Sequence, residues 1–335
     1  MPSESVTPRP WYDAWIDAAT GRTGFWGRSR PDDHFRTASQ SSVFVEAVSE
    51  LLASGPYADF GTVVEIGAGD GWLLDGLRSR DPDRRFVGVD LRPRPDGLGV
   101  DWCTGAWDVR TDSWQSSVAD LLGTLPSPTM IICAEWLDDL PCPIVAPTSG
   151  GRQGPDWRAV QVGPDGSESL GGPVAEEDAR WLQRWWPAVT DGSLPMPRRA
   201  ESGRTRDSAW ATVIRALRRS GGAALMIDYG HLRAARPPAG TLTGFVAGRQ
   251  VPARPDPAIN LTAHVAVDAV AAAGERAGAR TSFLIDQRTA VRRFLPDPRP
   301  TGPDPLAELQ RRGEQRMLTA TLGSHYWLLQ DVPSP

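Results

Sequence analysis

Three glycines flanked by acidic residues are the clearest candidate for a functional site in this sequence. The segment VVEIGAGDGWLL (63–74) places Gly67, Gly69 and Gly71 directly after a β-branched run and before a helical pattern. Glycine in such a turn tolerates positive φ and lets a ligand approach the backbone without a Cβ in the way. The pattern is GxGxG, and Trp72 stands where the GxGxxG dinucleotide fingerprint has its third glycine.

Two carboxylates favour S-adenosylmethionine over a dinucleotide as the ligand of this turn. Glu65 precedes the first glycine by two residues, where it can accept backbone N–H bonds and face a cationic ligand, whereas it would repel a pyrophosphate. Asp90 ends the next predicted strand, where a carboxylate can accept both ribose hydroxyls. We therefore predict S-adenosylmethionine as the cofactor. The alternative is an ordinary β–turn–helix with a surface aspartate.

A third acidic residue lies beyond Asp90, after a short segment that we expect to form the third strand of the sheet. In GAWDVR (105–110), Asp108 can accept a hydrogen bond from an adenine amino group while Trp107 stacks on the ring. The alternative, to which we give equal weight, is a solvated loop aspartate beside a core tryptophan.

The elements that must position these residues alternate between short apolar strands and helices. Helical patterns cover 11–19, 43–52, 72–80 and 264–278, and strands are predicted at 62–67, 85–90, 129–136, 223–230, 280–286 and 325–331. This alternation predicts an α/β fold with a mainly parallel sheet covered on both faces. Residues 142–220, rich in Gly, Pro and Trp, interrupt it with a predicted hairpin (156–167) and a helix, which indicates an insertion between two strands.

Composition narrows the chemistry and the location. All 36 basic residues among the 335 are arginines, so Schiff-base and P-loop lysine chemistry is excluded. A net charge of −5 argues against a nucleic-acid partner. Scattered cysteines and histidines predict neither a disulfide framework nor a metal site. With no apolar run long enough for a membrane span, we expect a soluble cytoplasmic protein without a membrane partner.

With these residues in hand, the chain resembles the MidA-like methyltransferases, the family of the mitochondrial complex I assembly factor that methylates a protein arginine. The resemblance runs in order from about Trp11 to Asp331. Besides the glycine turn, the matching elements are GFW (24–26) with DHFRT (33–37), AEWLDDLP (134–141), ALMIDYG (224–230), GTL (240–242) and NLTAHV (260–265).

The resemblance implies a Rossmann-like, seven-strand class I methyltransferase sheet with an antiparallel last strand. It also implies an N-terminal helical lid and an insertion between strands four and five. The corresponding segments are 1–60 (lid and substrate segment), 61–141 (cofactor-binding half), 142–220 (insertion) and 221–335 (second half). Ala134, His34, Gln40 and Asn260 depart from the family pattern, so we predict a divergent member, and the resemblance alone does not identify its methyl acceptor.

The predicted acceptor site lies at the carboxyl edge of the sheet. Glu135 and Asp138 lie at the C-terminal end of the strand predicted at 129–136. They could orient a guanidinium acceptor, and Glu135 would also lie near the cofactor. The alternative for this pair is a capping role. Asp228 and Tyr229 end the next strand, where Asp228 could instead accept loop N–H bonds. His264 could act as a general base, but we favour a role in satisfying backbone donors.

Aromatic residues outside the sheet have two interpretations. Phe25, Trp26 and Phe35 in the lid could line the acceptor channel, and Thr37 could cap the helix that follows. Trp181, Trp185 and Trp186 repeat at helical spacing, which is more typical of a core than of a peptide groove.

Three functions remain open at this point. The first is a methyltransferase acting on a protein side chain, most simply arginine. The second is a methyltransferase of a small molecule or ribosomal peptide, and the third is a cofactor-binding assembly factor without turnover. A homodimer is compatible with each of them.

Overall fold

The computed structural model describes residues 7–20, 23–29, 37–148, 155–187, 197–295 and 305–334. The strands are β1 Arg9–Pro10, β2 Thr62–Ile66, β3 Arg85–Asp90, β4 Asp101–Thr104, β5 Trp107–Asp108, β6 Ser113–Trp114, β7 Thr129–Ala134, β8 Ile144–Pro147, β9 Trp157–Val162, β10 Glu168–Pro173, β11 Ala200–Glu201, β12 Gly222–His231, β13 Thr243–Val246, β14 Arg249–Val251, β15 Asn260–Thr262, β16 Val265–Ala266, β17 Arg280–Asp286 and β18 His325–Val332. The α-helices are α1 Trp11–Ala19, α2 Phe25–Arg28, α3 Ser42–Leu52, α4 Trp72–Arg80, α5 Ser116–Gly123, α6 Glu176–Trp185, α7 Arg204–Leu217, α8 Val267–Arg276, α9 Gln287–Phe294 and α10 Pro305–Arg316. A π-helical turn, Met317–Thr321, follows α10.

The central sheet has the order β4-β3-β2-β7-β12-β18-β17. The strands β4, β3, β2, β7 and β12 pair in parallel, and β18 runs antiparallel to both of its neighbours. This is the seven-strand arrangement with an antiparallel last strand that the sequence predicts. The short strand β16 adds one further parallel pairing to the end of β12.

The strands in the middle of this sheet are buried on both faces. Along β7, Ile131 and Cys133 pack into one core while Met130 and Ile132 pack into another, because successive side chains of a strand point to opposite faces. The first core contains residues of α5, α7 and α8, and the second contains residues of α3, α4 and α9. The continuous apolar runs of the sequence therefore reflect a sheet covered by helices on both sides.

The predicted insertion lies between β7 and β12. Its strands β8, β9, β10 and β11 form an antiparallel sheet with β1 of the lid segment, in the order β1-β9-β8-β11, and β10 pairs with β9 as the predicted hairpin. The N-terminal helix α1 joins this sheet through a core that contains Trp11, Trp15 and Val160. The lid segment and the insertion are thus packed together. By contrast α7, at the end of the segment 142–220, packs on the central sheet.

The tryptophan-rich helix α6 belongs to a core. Trp181 and Trp186 are buried in a cluster with Leu182, and Trp185 packs against it. The core interpretation of this helical spacing therefore agrees with the structure, and the peptide-groove interpretation does not.

Two local predictions are wrong. The helix predicted at 264–278 begins at Val267, because the residues before it pair with β12 as strand β16. Thr37 does not cap the helix after the lid; Ser41 does, through its side chain and the N–H of Phe44. Within the described ranges, no helix is long and apolar enough to cross a membrane.

Candidate functional site

A cavity of about 210 Å³ opens at the carboxyl edge of the central sheet. Its walls come from the segments that follow β2, β3, β4, β7 and β12, together with residues of the lid and of β13 and β15. Parallel strands direct their carboxyl ends to one edge, which is where ligands of such sheets bind. The cavity contains both halves of the predicted site.

The glycine turn after β2 has the geometry that requires glycine. The φ angles of Gly67, Gly69 and Gly71 are 74°, 58° and 77°, a region that other residues rarely adopt. A Cβ on Gly71 would lie 2.5 Å from the side chain of Leu98, and one on Gly67 would lie 3.0 Å from that of Trp136. The turn thus presents bare backbone to the cavity, as predicted for a ligand-binding loop.

Glu65 supplies a buried carboxylate oxygen that has no protein partner. The side chain lines the cavity, and among the described residues nothing hydrogen-bonds to Oε2. Burial, and to a smaller extent the nearby Asp90, raises the pKa of Glu65 well above its ordinary value. A buried carboxylate is costly without a compensating donor or cation. The ammonium group of S-adenosylmethionine would satisfy this oxygen.

Asp90 connects the loops after β2 and β3. Its Oδ2 accepts the N–H of Gly69 at 2.9 Å, and its Oδ1 accepts the N–H of Arg92 at 2.9 Å. The guanidinium of Arg92 also contacts Asp90 and Asp70. Because each carboxylate oxygen has further lone pairs, Asp90 can still accept two ribose hydroxyls. Arg92 was not predicted as a site residue, and only its place two residues after Asp90 hints at this role.

Three tryptophans form an aromatic wall of the cavity. Trp107 packs edge-on against Trp114 with ring centroids 5.1 Å apart, and Trp114 stacks on Trp136 at 5.6 Å. Flat apolar faces of this kind suit a purine ring. Asp108 lies outside the described lining and accepts the N–H of Arg110 at 2.8 Å within its own turn. Its role in adenine recognition stays a prediction.

Glu135 lies where the cofactor half of the cavity meets the acceptor half. Its φ of 50° is unusual for a residue other than glycine, and such strain is common at functional sites. Oε1 accepts the N–H of Ala38 at 2.7 Å, which joins the base of the lid to the end of β7. The side chain also lines the cavity.

Asp138 and Asp139 extend the acidic wall beyond Glu135. Oδ2 of Asp138 accepts the hydroxyl of Thr262 at 2.7 Å, whereas Oδ1 is buried without a partner in the described chain. Asp139, which was not predicted, lines the same cavity, as does Asn260. Burial raises the pKa of both aspartates, and neighbouring carboxylates raise it further. Asn260 is neutral, whereas another aspartate at this position would add repulsion.

Asp228 and Tyr229 occupy different positions relative to the cavity. Asp228 is fully buried, and its Oδ2 accepts the N–H groups of Leu137 at 2.9 Å and Asp138 at 3.3 Å. Burial raises its pKa well above the ordinary value. Asp228 therefore holds the backbone of the acidic loop in place, which agrees with the alternative interpretation that it accepts loop N–H bonds. Tyr229 lines the cavity, and its ring lies between His264 and His325.

Arg206 supports the acidic loop and was not predicted. Its guanidinium is 1% exposed and donates to the carbonyl oxygens of Asp138 at 2.7 Å, Leu140 at 3.0 Å and Ala263 at 2.9 Å. A fourth bond goes to the carbonyl of His264 at 3.0 Å. No local motif could identify this residue, because all of its partners are far away in the sequence.

The lid segment contributes five described residues to the cavity, namely Ala19, Thr20, Trp26, Thr37 and Ser39. Of the residues predicted to line the channel, Trp26 lines the cavity and Phe25 does not, while Phe35, like His34, lies outside the described residues. His264 does not open a helix; its backbone N–H donates to the hydroxyl of Thr241, and burial lowers its pKa.

Comparisons with known proteins agree with this geometry. A family model described as "Putative S-adenosyl-L-methionine-dependent methyltransferase" matches residues 104–285. The crystal structure of a COG1565 superfamily member from Burkholderia thailandensis, bound to S-adenosylhomocysteine, superposes with a TM-score of 0.69 at 20% identity, covering 97% of this chain and 88% of that one. A native structure of a protein of this superfamily from the same organism gives the same TM-score and identity, with 97% and 87% covered. No curated protein matches the sequence.

The fold and the site define a class I, Rossmann-like protein whose cofactor is S-adenosylmethionine. The chain belongs to the MidA-like family of S-adenosylmethionine-dependent methyltransferases. The residues present fit this cofactor, because one cavity contains the glycine turn and the carboxylates of Glu65 and Asp90, which would hold its ammonium group and its ribose.

Proposed function

We propose that the protein transfers the methyl group of S-adenosylmethionine to a nitrogen atom of a protein side chain, most simply an arginine guanidinium. One observation carries this proposal: Glu135, Asp138 and Asp139 line the same cavity as the cofactor residues Glu65 and Asp90. Carboxylates pair with a guanidinium through parallel, charge-assisted hydrogen bonds. The acidic wall thus favours a cationic acceptor beside the cofactor.

The electrostatics of the acidic wall support a cationic acceptor. Burial disfavours the charged forms of Asp138 and Asp139, which is why the pKa of each is raised. A guanidinium that entered the cavity would stabilise those charges, so acceptor binding and carboxylate ionisation would reinforce each other. The unpaired Oδ1 of Asp138 is available for such a contact.

The chemistry is an in-line displacement for which this chain provides orientation. The cofactor supplies an electrophilic methyl group on a sulfonium. Glu135, Asp138 and Asp139 would hold the acceptor nitrogen in line with that methyl, and their charge would disperse the charge that develops on the guanidinium. Trp26 and Thr37 close the lid side of the cavity and limit the access of water.

A second groove favours an extended acceptor over a compact one. It is polar, and it shares Thr37 with the main cavity. Its other walls come from the lid base and from α10, including Gln310 and Glu314. An arginine placed in the main cavity would leave this groove for flanking residues of a polypeptide.

Methylation of a lysate tests the proposal. Purified protein is incubated with S-adenosylmethionine that carries a labelled methyl group and with lysate of the source cells, and the proteins are separated. We expect a labelled band whose hydrolysate contains a methylated arginine. Asp138→Asn should abolish the label, whereas Asp75→Asn, an exposed aspartate of α4 paired with Arg78, should not. Bound cofactor without any labelled protein would contradict the proposal.

A small-molecule or ribosomal-peptide acceptor is the second candidate. The observations that favour it are Phe245 and Trp26 on the cavity wall, since aromatic side chains can enclose a compact ligand. In the same incubation this candidate predicts label only in the low-molecular-mass fraction.

The third candidate, a factor without turnover, rests on Ala134 and Asn260 in place of family residues. Any demethylated cofactor formed by the wild type but not by Asp138→Asn would eliminate it.

A further inference from the structure

His325 is a buried neighbour of Glu135 on the side away from the cavity, and the proposed function gives it no role. It begins β18 and is fully buried. Its Nδ1 is 2.7 Å from the carbonyl oxygen of Leu322. Since a carbonyl can only accept, Nδ1 must carry a proton, and in the neutral ring Nε2 then has the lone pair.

The free nitrogen of His325 faces a carboxylate. Nε2 lies 3.7 Å from Oε1 of Glu135 and has no hydrogen-bond partner among the described residues. Oε1 itself accepts the N–H of Ala38. Two acceptor atoms therefore face each other with no donor between them, and a single proton would complete the contact.

The other groups around His325 are neutral or more distant. The ring of Tyr229, from β12, packs on it with centroids 3.8 Å apart, and the carbonyl of Leu322 comes from the turn before β18. His264 and Asp138 interact with it through charge alone. His325 does not line the cavity, so Glu135 stands between it and a bound acceptor.

We propose that Glu135 and His325 form a proton relay, in which Glu135 takes the proton that the acceptor nitrogen loses and His325 receives it at Nε2. This inference rests on the proposed function in one respect, namely that the acceptor atom bears a proton. The nitrogen lone pair forms the new N–CH₃ bond, and the S–CH₃ bond breaks with its electrons remaining on sulfur. The proton moves from nitrogen to Oε1 of Glu135 and then to Nε2 of His325.

The relay preserves the negative charge that the acceptor site uses. A proton left on Glu135 would weaken the acidic wall for as long as product occupied the cavity. His325 is a positioning residue in this scheme, because it acts through Glu135 and does not touch the acceptor. Its location behind the wall explains why a buried imidazole faces a carboxylate without any bond between them.

The kinetic test compares His325→Asn with the wild type. The asparagine amide can still donate to the Leu322 carbonyl, but it has no basic nitrogen for Glu135. With the labelled cofactor at saturation and source-cell lysate as acceptor, we expect the initial rate at pH 7 to fall about tenfold or more, with cofactor affinity unchanged. The deficit should shrink toward pH 9, where hydroxide can take the proton. A loss that is constant with pH, or no loss, would overturn the relay.

A second measurement needs no acceptor. The chain has four histidines, so ¹⁵N-histidine spectra of the protein bound to S-adenosylhomocysteine are simple, and His325→Asn assigns the signal of His325. We expect the Nδ1–H form at pH 8. The Nε2–H form would refute the relay, whereas a lysate without label would refute the proposed function alone.

Discussion

Replacement of Asp90 probes the cofactor site most selectively. Asp90→Ala removes the carboxylate that we assign to both ribose hydroxyls, and it also leaves the N–H of Gly69 without its acceptor. Hydrogen bonds to a charged group contribute about 1.5–3 kcal/mol each. Because these bonds share one carboxylate and water replaces part of them, we expect a total loss of about 3 kcal/mol. That corresponds to roughly a hundredfold weaker binding.

Asp90→Asn refines this estimate, because asparagine keeps one acceptor oxygen and the same shape. We expect about half of the loss, or roughly tenfold weaker binding. Calorimetric titration with S-adenosylhomocysteine measures both variants. Asp101→Ala is the matched control, since Asp101 lies at the start of the neighbouring strand, is exposed and pairs only with Arg85 in the described structure. Unchanged affinity in a folded Asp90→Ala protein would refute the assignment of the ribose.

Three further predictions concern the turn, the acidic loop and the dependence on pH. Gly71→Ala should weaken cofactor binding at least tenfold, because an alanine there would have a strained φ and a Cβ 2.5 Å from the side chain of Leu98. Gly123→Ala is the control and should not weaken binding, because a Cβ on Gly123 would meet open space. Calorimetric titration measures both variants. Arg206→Met should lower the free energy of unfolding by about 3–4 kcal/mol, since buried carbonyl oxygens lose their donor. Denaturant titration should show no such loss in the exposed Arg215→Met. Burial raises the folded-state pKa of Glu65, so the cofactor-free protein binds more protons at this residue than the unfolded chain does. The stability of the cofactor-free protein should therefore fall as the pH rises above about 4.5 toward the folded-state pKa of Glu65. Thermal melts of Glu65→Gln should show a weaker fall with pH, and this variant should also bind the cofactor less tightly.

Much of the central sheet could be predicted because its signals are local. The strand Arg85–Asp90, the helix Trp72–Arg80 and the strand Arg280–Asp286 match the sequence prediction residue for residue. Apolar runs bounded by glycine or acidic residues carry this information within a few positions. The helix after β16 was placed three residues too early, since pairing with a distant strand overrode the local helical pattern.

The place of Glu65 and Asp90 in one cavity could also be predicted from sequence, because both lie near the carboxyl ends of predicted strands. The residues of the predicted acceptor half could be identified from sequence only in part. Arg206, Asp139 and His325 gain their roles from contacts with residues that are far away in the chain. Asn260, which looks like a loss when compared with the family, lines the same cavity as the three acidic residues, where an aspartate would add repulsion. Such compensation becomes visible only in three dimensions.

A crystal structure of the complex with S-adenosylhomocysteine tests the central claim most directly. We expect the ribose hydroxyls to lie on Asp90, the ammonium on Glu65 and the adenine against the tryptophan wall, with the sulfur directed at Glu135. A ligand whose sulfur points away from the acidic wall, or whose ribose lies elsewhere, would contradict it.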